Sequence, residues 1–191
     1  MPIIVAEFLQ RLDLSRKPDY IFFVATYGTT PGQTGRFADN ILAPKGLPLS
    51  AKFSVKMPDT WTPIFNLCNK EKVQQINDNA EPEMDYIIKQ IKNFVAGDFM
   101  KNKLPYPLAK IGYNIEYDSM RKTKHSSVED SCIGCGLCAK NCPVSAIKLK
   151  DHKPEWIKEQ CVMCLSCLHH CPKFAIQYGK NTKKHGQYTH P

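Results

Sequence analysis

No run in the 191-residue chain approaches the roughly eighteen consecutive apolar residues of a membrane span, and the apolar start from Ile3 to Ala6 is stopped by Glu7. The expectation is a soluble, cytoplasmic protein with neither signal peptide nor anchor. Fourteen prolines and ten glycines recur without a period, which excludes collagen-like and low-complexity readings. No Ser/His/Asp set and no paired acid and base stand out, so hydrolytic and group-transfer catalysis lack support. Present instead are 42% hydrophobic and 23% charged residues, enough for a substantial core plus a small satellite domain. Of nine cysteines, eight lie between Cys132 and Cys171. A disulfide framework for the whole chain would be spread more evenly, so the crowding points to metal in a reducing compartment.

The net charge of +8 is uneven: residues 118–191 hold 12 basic and 6 acidic side chains, against 14 and 12 in residues 1–117. Lys180, Lys183 and Lys184 invite a nucleic-acid reading, but no aromatic-interleaved basic stripe or readable motif accompanies them. Eight thiolates holding metal would bring net negative charge to this end of the chain, and part of its basicity would then offset that charge.

Two runs carry the chemistry: Cys132-Ile-Gly-Cys135-Gly-Leu-Cys138-Ala-Lys-Asn-Cys142-Pro143 and Cys161-Val-Met-Cys164-Leu-Ser-Cys167-Leu-His-His-Cys171-Pro172. Both read C-x2-C-x2-C-x3-C-P, the spacing of bacterial ferredoxins. Each cysteine recurs after 29 residues, as do Ala146-Ile147 in Ala175-Ile176, which marks an internal repeat. Three cysteines at three-residue intervals reach three corners of one cubane if the backbone curls around it with N–H groups toward sulfur. In two-cluster ferredoxins the fourth cysteine of each run serves the other cluster. Cys132, Cys135, Cys138 and Cys171 are therefore assigned to one [4Fe-4S] cluster, and Cys161, Cys164, Cys167 and Cys142 to a second. Zinc is the alternative for any C-x2-C pair, but it requires neither the third cysteine nor the Cys-Pro ending.

The repeat has one mismatch: Gly134 and Gly136 stand where the second run has Met163 and Leu165. Either these side chains cover their cluster and lower its potential, or they point away and pack the small core.

Toward the amino terminus, Val5, Phe8, Leu9 and Leu12 give helical spacing from Pro2, with proline in the first turn and an end near Ser15 to Pro18. The apolar run Tyr20 to Thr26 predicts a strand buried on both faces. A Gly- and hydroxyl-rich loop, 27–34, leads to a helix bearing Phe37, Ile41 and Leu42 and ended by Pro44. A strand at Ala51 to Lys56 and an amphipathic helix at Pro82 to Val95 follow. This is an α/β pattern, in which loops at the carboxyl ends of strands bind ligands. Tyr27 has the character to stack on a flat ring, with Gly28 and Gly32 allowing close approach; a purely structural turn is the competing reading.

The stretch Tyr20-Ile-Phe-Phe-Val-Ala-Thr-Tyr-Gly28, Ser54-Val-Lys-Met-Pro58, the double cysteine motif and the ending Gly186-Gln-Tyr-Thr-His-Pro191 together resemble bacterial and archaeal flavodoxin-ferredoxin fusion proteins of the EFR-type ferredoxin family. The resemblance implies an α/β truncated flavodoxin-like domain, joined to a small α+β two-cluster bacterial ferredoxin domain with an internal pseudo-twofold repeat. It implies anaerobic electron transfer and places Thr26, Tyr27 and Gly28 beside the isoalloxazine ring of FMN. The family's FMN-phosphate turn, of the type S-G-T-G-N-T, has no counterpart after Met1, so FMN binding stays an open cofactor question. A mis-called start is the expected explanation, with a split gene or an oligomer completing the sheet as alternatives. A rearranged phosphate loop at Thr26 to Thr34 also stays open. Within this chain alone, a two-strand remnant leaves Tyr20 to Thr26 without one neighbour and with an unpaired edge.

The expected domains are residues 1–97, a linker over 98–130 that is mobile near Arg121 to Ser127, a ferredoxin domain over 131–180, and a basic tail over 181–191. Cys68 reads as a small core residue, His169 and His170 as solvent-facing, and Trp156 as a cover for the cluster domain. The functional expectation is an electron carrier with unknown redox partner proteins and no membrane association. A flavin-dependent oxidoreductase subunit and a cluster-stapled nucleic-acid or interaction module are the alternatives.

Overall fold

β1 (Phe22–Tyr27) and β2 (Ala51–Lys56) pair in parallel, Phe22 opposite Ala51 and Tyr27 opposite Lys56, and the short β3 (Gly97–Asp98) extends the sheet in the order β1-β2-β3. The computed structural model describes residues 1–107, 109 and 117–190. Two units are distinguished: Met1–Pro58 with Glu71–Tyr113, and Asp59–Lys70 with Asn114–Pro191.

In the first unit, α1 (Ile3–Arg11) packs on α2 (Thr34–Leu42), with Pro2 at the N-cap of α1 rather than in its first turn. Gly35 of α2 meets the sheet so closely that a Cβ would lie 2.5 Å from Met100 Sδ and 3.1 Å from Lys52 Cδ. The same helix places Asp39 against the Leu49 N–H (2.8 Å) and the Lys52 ammonium (3.5 Å). The opposite sheet face carries Ala51, Phe53 and Val55, buried against Ala80 and Ile87 of α3 (Lys70–Lys92), and the Phe53 and Phe99 rings stack at 5.1 Å.

Two expectations are corrected here. α3 begins twelve residues before Pro82, because Asn77 and Ala80 are buried and packing of that face outweighs the backbone bond a mid-helix proline removes. β1 is not buried on both faces. Phe22 and Val24 stay 47% and 40% exposed, since α3 covers the β2 side of that face and β1 has no partner on its outer edge among the described residues.

The second unit holds two antiparallel ladders. β4 (Ser126–Val128) pairs with β7 (Ile176–Tyr178), and β5 (Ile147–Lys150) with β6 (Lys153–Trp156). Its boundaries differ from those expected. Segment 59–70, which follows β2 in sequence and ends on the first residue of α3, belongs to this unit: Trp61 packs on the Leu165, Leu168 and Ile176 core, and Asn181 Nδ2 donates to the Pro63 carbonyl. The end of the expected linker is structured, with Thr123 buried, its Oγ1 donating to the Lys158 carbonyl at 2.6 Å, and β4 paired. The middle of that linker, 110–116, lies outside the described residues.

The carboxyl-terminal segment is likewise no free tail. α6 (Thr182–His185) buries Thr182, and the Gln187 amide donates to the carbonyls of Leu168 (2.7 Å) and Cys171 (2.8 Å).

Core and edge of the α/β unit respond differently to substitution. Phe53→Ala is expected to cost about 3–5 kcal/mol, and Phe22→Lys within about 0.5 kcal/mol, compared by urea denaturation of the purified proteins.

Candidate metal centre

Two single-turn helices, α4 (Leu137–Lys140) and α5 (Ser166–His169), each follow a cysteine loop and each carry that run's third cysteine. The loops turn through left-handed residues at equivalent positions: Gly134 and Met163 (φ 67° and 51°), Gly136 and Leu165 (78° and 53°), and later Ser145 and Phe174 (49° and 48°). Such φ values bend the chain back on itself, which brings sulfurs three residues apart to one side. After each Cys-Pro pair, the N–H of a fully buried alanine points at the fourth sulfur, Ala146 to Cys142 Sγ at 3.1 Å and Ala175 to Cys171 Sγ at 3.3 Å. Ladder contacts clamp both alanines, their carbonyls accepting from the N–H groups of Ile157 (2.9 Å) and Glu129 (2.8 Å).

The eight thiols divide between two cavities. One is lined by Cys142, Cys161, Cys164 and Cys167, together with Trp156, Leu165, Leu168 and Ile176. The other is lined by Cys132, Cys135, Cys138 and Cys171. Three thiols of one run thus share a cavity with the fourth of the other run. Four thiols ringing a cavity match a cubane that takes one thiolate at each iron, whereas zinc takes four sulfurs about 2.3 Å from a single ion. The donor set fits a four-iron cluster in each cavity.

Burial raises the thiols of Cys138 and Cys161 above their ordinary range and pushes Cys167 up to about 12. Neutral thiols are thus favoured while the cavities lack metal, and ligation displaces protons. Backbone N–H groups reach sulfurs in both sets, Ala139 to Cys138, Met163 to Cys161 and Leu168 to Cys167 among them.

The other residues singled out in the sequence fall elsewhere. Tyr27 is buried, its hydroxyl accepting from Asn102 Nδ2 at 2.9 Å, so its ring is not offered to a ligand. Loop hydroxyls are engaged locally: Thr30 Oγ1 donates to the Asn102 carbonyl and accepts from the Gly32 N–H, and Thr34 Oγ1 donates to the Pro31 carbonyl. These contacts describe a structural turn beside Thr26, Tyr27 and Gly28. Cys68 is exposed rather than a core residue, its thiol donating to the Lys184 carbonyl at 3.1 Å.

His169 is buried, not solvent-facing. Its Nδ1 accepts the Tyr188 N–H (3.2 Å), so Nε2–H donates to the Thr60 carbonyl (2.8 Å). Little in the amino-acid pattern points to the residues around it. Trp61 is one of only two tryptophans, yet its partners lie about a hundred positions away, and Gln187 looks like any polar tail residue.

Both ring nitrogens of His169 are used in the neutral form, and desolvation lowers its pKa below the ordinary 6.5. A proton on Nδ1 would face the Tyr188 N–H. Below pH 6.5 the unfolded chain takes up this proton before the folded one, so stability falls as the pH drops. Urea midpoints between pH 8 and pH 5 are expected to fall more steeply in the wild type than in His169→Gln, and equal slopes would refute the assignment.

Residues 131–175 match the 4Fe-4S dicluster domain, while no curated protein and no solved structure matches the chain. No helix among the described residues is long and apolar enough to cross a membrane. The match covers both cysteine runs up to Ala175 and supports a ferredoxin-type iron–sulfur domain and an electron-transfer role for this part of the chain.

Proposed function

We propose that the chain is a one-electron carrier holding two [4Fe-4S] clusters, one on Cys132, Cys135, Cys138 and Cys171, the other on Cys161, Cys164, Cys167 and Cys142. The observation that carries this reading is the exchange of the fourth cysteine between the two cavities. Bound clusters supply reversible one-electron chemistry. The chain supplies the rest: thiolates to ligate, N–H groups aimed at sulfur, and apolar walls from Trp156, Leu168 and Ile176 that limit water. Left-handed residues and single-turn helices recurring 29 positions apart support a pseudo-twofold arrangement of the two halves.

Electrons come from and go to partner proteins, and reduced thiols suit a reducing compartment. Three parallel strands with helices on both faces support a flavodoxin-like reading of the first unit. Exchange with FMN gains no support from the Tyr27 loop, where the Tyr27 hydroxyl, Thr30 Oγ1 and the Gly32 N–H are engaged within the chain.

Protein purified without oxygen is expected to contain about eight irons and eight sulfides per chain. In Cys142→Ala, iron should fall to about four, with the cluster on Cys132, Cys135 and Cys138 retained. Colourless protein, or zinc in place of iron, would overturn the proposal.

A further inference from the structure

The two cavities differ in what closes them. Met163 and Leu165 hold left-handed backbones, a conformation that is easy for glycine and strained for a residue with a β-carbon. Such strain persists where the surroundings hold the side chain in place. Leu165 is only 6% exposed, forming a buried core with Leu168 and Ile176, and Met163 packs against that core. Both line the Cys161 cavity.

At the matching positions of the other loop two glycines present no side chain. A Cβ on Gly134 would lie 2.6 Å from the His152 carbonyl oxygen, which bars a side chain, and one on Gly136 would meet only the tip of Leu149 at 3.3 Å. Three of the apolar residues lining the Cys132 cavity, Ile133, Leu137 and Leu149, are exposed, Ile133 to 60%, while the buried Ile176 lines both cavities.

Other influences on potential are more evenly shared. Backbone N–H groups reach sulfurs in both sets. A cation stands near each, Arg121 donating to the Cys161 carbonyl and pairing with Asp118, Lys173 lining the Cys132 cavity. The apolar side chains at 163 and 165, set against the glycines at 134 and 136, are the difference that remains.

We propose that Met163 and Leu165 form a hydrophobic cover over the Cys161 site that sets its potential below that of the Cys132 site, so that a single electron delivered to the pair rests at the Cys132 site. The inference rests on the two-cluster reading. Reduction adds one negative charge, and a site shielded from water dipoles accommodates it less well. In the exchange a one-electron donor protein is oxidised by one electron and the Cys132 site is reduced by one; no bond forms or breaks and no proton moves.

The test is a redox titration of the anaerobic full-length holoprotein with dithionite, followed by electron paramagnetic resonance. The wild type should show two separate one-electron waves. Met163→Gly, which relieves strain as it opens the cover, should raise only the lower wave and increase deuterium coupling to that cluster in D2O. The reciprocal Gly136→Leu should lower only the upper wave. Coincident waves in the wild type, or a lower wave and deuterium coupling unmoved in Met163→Gly, would overturn the cover. If Met163→Gly loses iron, Gly136→Leu decides, and an unmoved upper wave overturns the proposal. A full complement of iron with equal potentials sinks this inference alone, whereas wild-type protein without iron sinks the two-cluster reading beneath it.

Discussion

Three thiols within seven residues face one centre only where the backbone between them doubles back, and this requirement governs most of the second unit. It forces left-handed conformations at 134, 136, 163 and 165, permits only single-turn helices behind the loops, and leaves the sulfur-facing alanines 146 and 175 no room for a larger side chain. The short ladders then serve as clamps. By holding the Ala146 and Ala175 carbonyls through Ile157 and Glu129, they fix the N–H groups that point at Cys142 and Cys171.

The α/β unit rests on a different principle. Its order comes from aromatic and aliphatic burial on one side of β2, centred on Phe53 and Phe99, and from the close approach of Gly35 on the other. Nothing in it demands a special backbone at a chemical centre. The loop after β1 spends its hydroxyls on Asn102 and on its own turn. A strand-end loop rich in glycine and threonine is thus explained by local hydrogen bonding, without a ligand.

The cysteine loops were legible in the sequence because their information is local: spacing, a following proline and a repeat at fixed offset survive without knowledge of the fold. β2 was legible for the same reason, as a short run with turn signals on each side. The start of α3 was not, because a proline rule tuned to isolated helices competes with burial of Asn77 and Ala80 that only the assembled sheet supplies. His169 and Cys68 were misplaced in opposite directions. Burial of the histidine depends on Thr60 and Tyr188, far from it in sequence, while the cysteine's apolar neighbours Ile64 and Leu67 suggested a core that the chain does not build around it.

The excursion of residues 59–70 has a temporal side. On a ribosome, Trp61 emerges about a hundred residues before Leu165 and Leu168, the side chains it packs on, and Thr60 before His169. The nascent segment must therefore wait, bracketed by β2 and α3, until nearly the last residues of the ferredoxin-type region have been translated. A chain halted after α3 would carry Trp61 without the Leu165, Leu168 and Ile176 core on which it packs.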